Sequence, residues 1–482
     1  MGTVSGVDAV NELTELTIRE AGDLIASGKV SSVELTSAIL SQIDRTEAAV
    51  FAYASVMGEQ ALEGAKQADR EIATRGGWRS PLHGIPVGIK DIIYATGAPT
   101  EAGSDVLKGF IPEWDATVVR RLKEAGAIIV GKTHTIEFAY GQSIPPTRNA
   151  WNTAHAPGGS SSGSGSAVAV RSAYGAIGTD GGGSIRNPAG FQGIVGLKPT
   201  CGRVSRYGVI PMSASLDHVG PMARTAEDCA LMMNVIAGYD SCDQQSIDVP
   251  VPDYTADLDH GVDGLRLGLD RDYFYDAVNP EYLSRVEAAI AELENLGVTF
   301  VEVHIKELEL VHGIFLNVIA TDTSAYHRRL LRAKPEGYYP RTRVMLEFGE
   351  LLFGTDYLIA QRARHVLRTA VKDTFTKHRL DGLIAPSAMN TAVAMSGEVS
   401  ADLFAQPIRQ SLANIVGLPA MSVPCGFANA GLPTGFEVYG RPFDETTVLR
   451  IGAAYQKVTE WHRASPAQAR QAEASARQAT AS

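Results

Sequence analysis

Residues 158–186 read GGSSSGSGSAVAVRSAYGAIGTDGGGSIR, two clusters of glycine and serine around a segment with apolar runs. A serine hydroxyl becomes a nucleophile when a base takes its proton. Glycine lets backbone come close to a ligand and adopt φ > 0. A solvated linker is also rich in both residues. A linker, however, does not carry Ala167–Val170 and Tyr174–Ile177 between its clusters, nor end in Ser184-Ile185-Arg186-Asn187-Pro188. The stretch reads as a built site, with a short helix and then a strand between the clusters.

A base must come from elsewhere. Lys90 directly follows the apolar run Ile85-Pro86-Val87-Gly88-Ile89, so partial burial is expected. Burial disfavours the ammonium, and the pKa can fall until the neutral amine accepts a proton near pH 7. The same position also fits an ion pair with Asp91, and spacing alone does not separate the two readings. His134, His155 and His218 are candidate bases by type only.

Two pattern matches lack their context. Gly126–Thr133 reads GAIIVGKT, which satisfies the phosphate-loop pattern GxxxxGK[ST]. That loop follows a strand and offers exposed amides. Here a helical stretch comes first and the variable positions are Ala, Ile, Ile and Val, so a core strand is expected. Gly159–Gly163 reads GSSSG, a nucleophile-elbow pattern centred on Ser161. The elbow needs an apolar strand immediately before it, and Ala154-His155-Ala156-Pro157-Gly158 is not one. A Ser-His-Asp hydrolase is the second reading at this level.

The elements that hold these residues follow from periodicity. Thr17 with Glu20, and Ser31 with Glu34, fit capping boxes ahead of apolar stripes, and N-terminal helices are expected across 14–75. From Pro81 the chain turns to short strands and Gly-rich loops, with strands at Ile85–Ile89 and Ala127–Val130 around a helix at Ala116–Ala125. Residues 239–256 read as a loop. Leu265–Leu269 and Val298–Val303 read as strands flanking a helix at Pro280–Leu296. A mostly helical insert, about 305–380, is expected over one edge of the sheet. Strand character returns at Leu383–Ala385 and Ala420–Val423. This alternation predicts an α/β sheet with covered faces.

Bulk properties exclude some classes. The 482 residues are 45% apolar and 20% charged, enough to bury a large core. A net charge of −11 argues against a nucleic acid held by charge alone. Cys201, Cys229, Cys242 and Cys425 form no CxxC pair, so reduced thiols rather than a zinc ribbon are expected. Met1–Leu13 has neither a basic region nor an apolar core, and no apolar run reaches membrane-spanning length, so a cytoplasmic protein without a membrane partner is expected. The tail from Ser465 is Ala, Gln, Arg and Ser and is expected to be mobile.

Seven ordered stretches resemble the amidase signature family: 84–91 (GIPVGIKD), 115–133 ending in GAIIVGKT, 157–163 (PGGSSSG), 178–188 (GTDGGGSIRNP), 193–200 (GIVGLKPT), 219–225 (VGPMART) and 417–426 (GLPAMSVPCG). The resemblance implies one large domain, 1–465, with a mixed central sheet covered by helices on both faces. It also implies an amidase that cleaves a linear amide C–N bond through an acyl-enzyme. Ser184 matches the nucleophile, Ser160 the relay serine that follows a cis peptide bond, and Lys90 the base. Amides of Gly181, Gly182, Gly183 and Ser184 would form the oxyanion hole. Ser161, Thr179, Asp180 and Arg186 match supporting positions, and Tyr140 and Gly141 lie where the family often lines the acyl pocket. No metal or cofactor is implied. The expected partner is a small-molecule amide, with assembly as a homodimer left open.

Several positions depart from the family pattern. Gln192 stands where cysteine is common, Ala150 where proline is frequent, and Gly181 where threonine or isoleucine is frequent. The last should loosen the oxyanion loop unless neighbours hold it. Within the family, the alternative is the A subunit of a tRNA-dependent glutamine amidotransferase, which Gly202–Gly208 resembles. Thr135-Ile136-Glu137-Phe138, in place of that protein's Met-Asp-Glu-Phe, and Pro407, where its glutamine-sensing aspartate would align, favour a stand-alone amidase. A non-catalytic partner-binding relative is the reading from another class. Tyr94, Phe110, Trp114, Phe315, Tyr326, Phe348 and Phe353 predict an apolar acyl pocket for aryl or alkyl amides, with esters and carbamates (urethanes) within reach.

Overall fold

In the computed structural model, both N-terminal capping boxes form. Thr17 Oγ1 accepts the Glu20 N–H at 3.1 Å while Glu20 accepts the Thr17 N–H at 2.8 Å, and Ser31 with Glu34 repeats the exchange. They start the helices Ile18–Ala26 and Ser32–Val50. The structure describes residues 12–466, apart from 75, 142–144, 396–407 and 429.

Among the described residues, eleven strands form one mixed sheet: β1 (Tyr53–Val56), β2 (Pro86–Lys90), β3 (Ile128–Thr133), β4 (Gly175–Asp180), β5 (Val195–Lys198), β6 (His218–Ala223), β7 (Arg266–Leu269), β8 (Thr299–Glu302), β9 (Gly382–Pro386), β10 (Ala420–Phe427) and β11 (Pro433–Gly440). The spatial order is β1-β3-β2-β4-β6-β5-β10-β11-β9-β7-β8. Central strand β2 runs parallel to both β3 and β4 and is buried along its whole length. Such strands read as continuous apolar runs because helices cover both faces.

The six strands expected at 85–89, 127–130, 265–269, 298–303, 383–385 and 420–423 are present, some with shifted ends. β11 shows no such run because it opens on Pro433 and carries Gly435 and Gly440, residues that weaken a strand signal. GAIIVGKT runs into β3, and its Lys132 is fully buried with Nζ on Asp91 Oδ1 (3.1 Å) and Thr100 Oγ1 (2.6 Å). That lysine is committed to the interior.

The insert is helical as expected, with helices Val311–Ala333, Pro340–Glu350 and Gly354–His378 between β8 and β9. Its placement corrects the expectation of an edge cover, because it reaches loops beside the carboxyl end of β4. Asp322 accepts from the Ser213 and Ser215 hydroxyls, Glu137 accepts the Tyr339 N–H, and Phe315 meets Gly182. The tail beyond 466 lies outside the described residues.

Candidate active site

Lys90 ends β2 with its amine at the bottom of a polar cluster. Nζ lies 2.7 Å from Ser160 Oγ, 2.9 Å from Ser161 Oγ and 2.7 Å from Thr179 Oγ1. Among the described residues no carboxylate touches it. Asp91, its neighbour in sequence, pairs with Lys132 instead. Burial pushes the Lys90 ammonium down to about 7, against the raising pull of Asp217 and Asp180. Taking a lysine out of water produces this shift.

Ser160 and Ser161 precede the helix Ser162–Ala169, and the Gly159–Ser160 peptide bond is cis. Gly163 lets this helix press against the strand ends, since a Cβ there would lie 2.2 Å from Ala52 O and 2.4 Å from the His134 nitrogen. Ser161 Oγ donates to Thr179 O at 3.1 Å and accepts the Thr179 N–H at 3.2 Å. Its proton is therefore spent, and toward Lys90 it can only accept. Ser161 is fully buried, which corrects any reading of it as an exposed elbow nucleophile.

Ser184 sits in the loop between β4 and the helix Arg186–Gln192. Its carbonyl accepts the Ser161 N–H at 3.1 Å, tying the two clusters together. Its hydroxyl has no hydrogen-bond partner among the described residues, Ser160 included. Asp180 holds the loop from behind. Its Oδ1 accepts the Gly183 N–H at 2.7 Å and its Oδ2 accepts the Ile185 N–H at 3.1 Å. The Gly183 amide is thus taken, which corrects its expected place in an oxyanion hole.

Arg186 donates to Asp180 Oδ2 (3.0 Å), Glu437 Oε2 (2.9 Å) and Asn414 Oδ1 (2.9 Å), all fully buried. Burial alone would raise the Asp180 pKa, but the guanidinium holds it well below the usual carboxylate range.

Each loop glycine is covered by a different side chain. A Cβ at Gly181 would lie 1.9 Å from Met212 Cε and 2.8 Å from Asp217 Oδ1. At Gly182 it would lie 2.5 Å from Phe315 Cζ, and at Gly183 2.7 Å from Gln410 Oε1. Asp217 Oδ2 accepts the N–H groups of Met212 and Ser213, and burial pushes its carboxyl up to about 6.

The matched sequence model is described as Amidase and spans residues 34–449. The chain belongs to the amidase signature family. An amidase of Pseudomonas putida is 44% identical, over 95% of this chain and 99% of that one. The A subunit of glutamyl-tRNA(Gln) amidotransferase from Chloroflexus aggregans is 41% identical, over 96% of this chain and 100% of its own. Among solved structures, the native peptide amidase from Stenotrophomonas maltophilia superposes with a TM-score of 0.78 at 33% identity, over 92% of this chain and 97% of that one.

Within this amidase signature chain the other expected site residues divide. Tyr140 is buried, and Gly141 packs under Thr342, whose Oγ1 would lie 1.9 Å from a Cβ there. Of the expected pocket aromatics, Phe315 meets the glycine loop. Tyr94, Phe110 and Trp114 form an aromatic cluster that Tyr207 extends. Phe348 and Phe353, 56% and 73% exposed, stand on the outer surface. Burial pushes His134 down to about 4 and His218 well below its ordinary value, and His155 makes a backbone bridge to Ala394.

The amidase signature site also contains Met212, Gln410, Asn414 and Glu437, none of which was singled out in the sequence. For Met212 a signal existed, since a glycine at 181 leaves room that a bulky neighbour must fill. The others lie far along the chain with no local pattern. Pro407 lies outside the described residues. Among the described residues no cluster could hold a metal ion, and no helix is long and apolar enough to cross a membrane.

Proposed function

We propose that this protein hydrolyses carboxylic amides to an acid and an amine or ammonia through a Ser184 acyl-enzyme. The observation that carries the reading is Lys90, a buried amine with hydroxyl partners and, among the described residues, no carboxylate in contact. As a neutral amine it donates to Ser161 and Thr179, and its lone pair is left for Ser160. Ser160 gives its proton to Lys90 and takes one from Ser184, since a hydroxyl both donates and accepts. The Ser160–Ser184 contact closes when substrate is bound; catalytic hydrogen bonds often tighten only then. Ser184 Oγ attacks the carbonyl carbon, and the oxygen takes up negative charge facing the amides of Gly181, Gly182 and Ser184. Each such donor contributes about 3 kcal/mol. Collapse breaks the C–N bond, the relay returns the proton to the leaving nitrogen, and water then cleaves the acyl ester.

The Phe315 ring over Gly182 and the Met212 side chain over Gly181 support an apolar acyl group, aryl or alkyl, with esters and carbamates as further substrates. A panel of anilides, aliphatic amides, carbamates and glutamine, run beside Ser184→Ala, tests the reading. The expected result is anilide turnover and an acyl adduct by mass spectrometry, both absent in the variant. Unchanged turnover by Ser184→Ala sinks the mechanism.

Full-length similarity to the A subunits of amidotransferases supports a second reading. Glutamine as the preferred substrate, with ammonia release only beside two co-purifying proteins, would select it.

A further inference from the structure

The carboxamide of Gln410 is locked in one orientation at the mouth of the glycine loop. Its Nε2 donates to the carbonyl of Ser387 and to Glu437 Oε1. A carbonyl oxygen only accepts, so the nitrogen must face Ser387 and the amide cannot turn over. Glu437 is fixed in turn by Arg186, which donates to its Oε2 at 2.9 Å. Arg186 also holds Asp180, which holds the Gly183 N–H. Gln410 therefore belongs to a closed ring that begins and ends at Gly183.

The remaining polar atom, Gln410 Oε1, has no hydrogen-bond donor among the described residues. It lies 2.7 Å from where a Cβ of Gly183 would be, one residue before the nucleophile. Gln410 is half-buried, and Oε1 still reaches solvent. A fixed acceptor without a donor among the described residues, against the residue that precedes Ser184, matches a substrate that brings its own N–H.

We propose that Gln410 Oε1 accepts the N–H of the scissile amide, so that this site selects amides carrying an N–H over esters and tertiary amides of the same acyl group. The inference rests on the amidase reading above and names what that site prefers. Gln410 moves no proton and forms no bond to carbon. It orients the leaving nitrogen, so its contribution is absent when that atom is an ester oxygen.

The test compares p-nitroacetanilide, p-nitrophenyl acetate and N-methyl-p-nitroacetanilide on the full chain and on Gln410→Met, which keeps the length of the side chain and removes the acceptor together with the Nε2 donor to Ser387 and Glu437. The expected result is a loss in kcat/KM on the anilide about tenfold beyond the loss on the other two probes, the size of one hydrogen bond. The ester and the N-methyl anilide lose about tenfold less than the anilide, because any cost to the loop through Glu437 falls on all three probes alike. Gln410→Asn, which withdraws the oxygen by one methylene, is expected to show the same split and serves if the methionine variant does not fold. Equal losses on all three probes, or none on the anilide, overturn the inference in favour of a purely structural glutamine. Failure of the unmodified enzyme to cleave any of the three, with no adduct on Ser184, overturns the amidase reading instead.

Discussion

The Ala150 N–H donates to Gln192 Oε1 at 3.0 Å. These are two of the positions at which this chain departs from its family, and the contact makes them one departure. A proline at 150 has no N–H to satisfy. Alanine exposes one in a buried place, and Gln192 supplies the acceptor while its Nε2 donates to Pro157 O and Ser166 Oγ. Gln192→Ala is expected to cost about 1–3 kcal/mol, because it removes the acceptor of the Ala150 N–H and the donor to Pro157 O and Ser166 Oγ in a buried place. Adding Ala150→Pro should return part of that loss. A double-mutant cycle by urea denaturation reads the coupling, and strictly additive losses would break the link.

Activity should rise with pH through the Lys90 titration. The relay needs the neutral amine, and burial brings Lys90 to about 7. Below that value kcat/KM on a neutral anilide should fall about tenfold per pH unit, and above it the profile should level off. Asp217 raises the Lys90 pKa, so removing its charge must lower it. The acid limb of Asp217→Asn is therefore expected at lower pH than in the unmodified enzyme. A limb that stays in place, or moves up, contradicts the assignment of that limb to Lys90.

Gly181 and Met212 should behave as a lock and its filling. Any side chain at 181 meets Met212 Cε at 1.9 Å. Gly181→Thr alone is expected to lose about 1–3 kcal/mol from overpacking, and Met212→Ala alone about 2–5 kcal/mol from the cavity. Together they should cost less than their sum. Thermal unfolding of the four proteins checks this, and the anilide rate reports whether the oxyanion loop survives the exchange.

Lys90, Ser160 and Ser184 were singled out through the family resemblance of the short motifs that hold them, and the structure brings Lys90 and Ser160 into contact. The sheet was legible where strands are buried on both faces. Sequence reading failed where one side chain answers another far away. It left an ion pair of Lys90 with Asp91 open, whereas the parallel neighbour β3 brings Lys132 to that carboxylate. It counted the Gly183 amide as free, although Asp180 curls back to take it. Gln410, Asn414 and Glu437 reach the site only because β10 and β11 return to the middle of the sheet. Phe315, Phe348 and Phe353 were expected to line one pocket, yet they lie on different segments of the helical insert. Phe315 faces the loop, while Phe348 and Phe353 face outward.

The helical excursion between β8 and β9 enters and leaves the sheet five strands or more from β4, yet it brings Phe315 over Gly182. Floor and ceiling of the site are thus separate inheritances. The strands and glycine loop that would carry the proposed reaction are contiguous and tightly bonded, whereas the ceiling joins the sheet through two distant chain connections and rests on side-chain contacts such as Asp322 with Ser213. A lineage can redraw the ceiling while the floor stands unchanged, so kinship in catalysis need not mean kinship in diet.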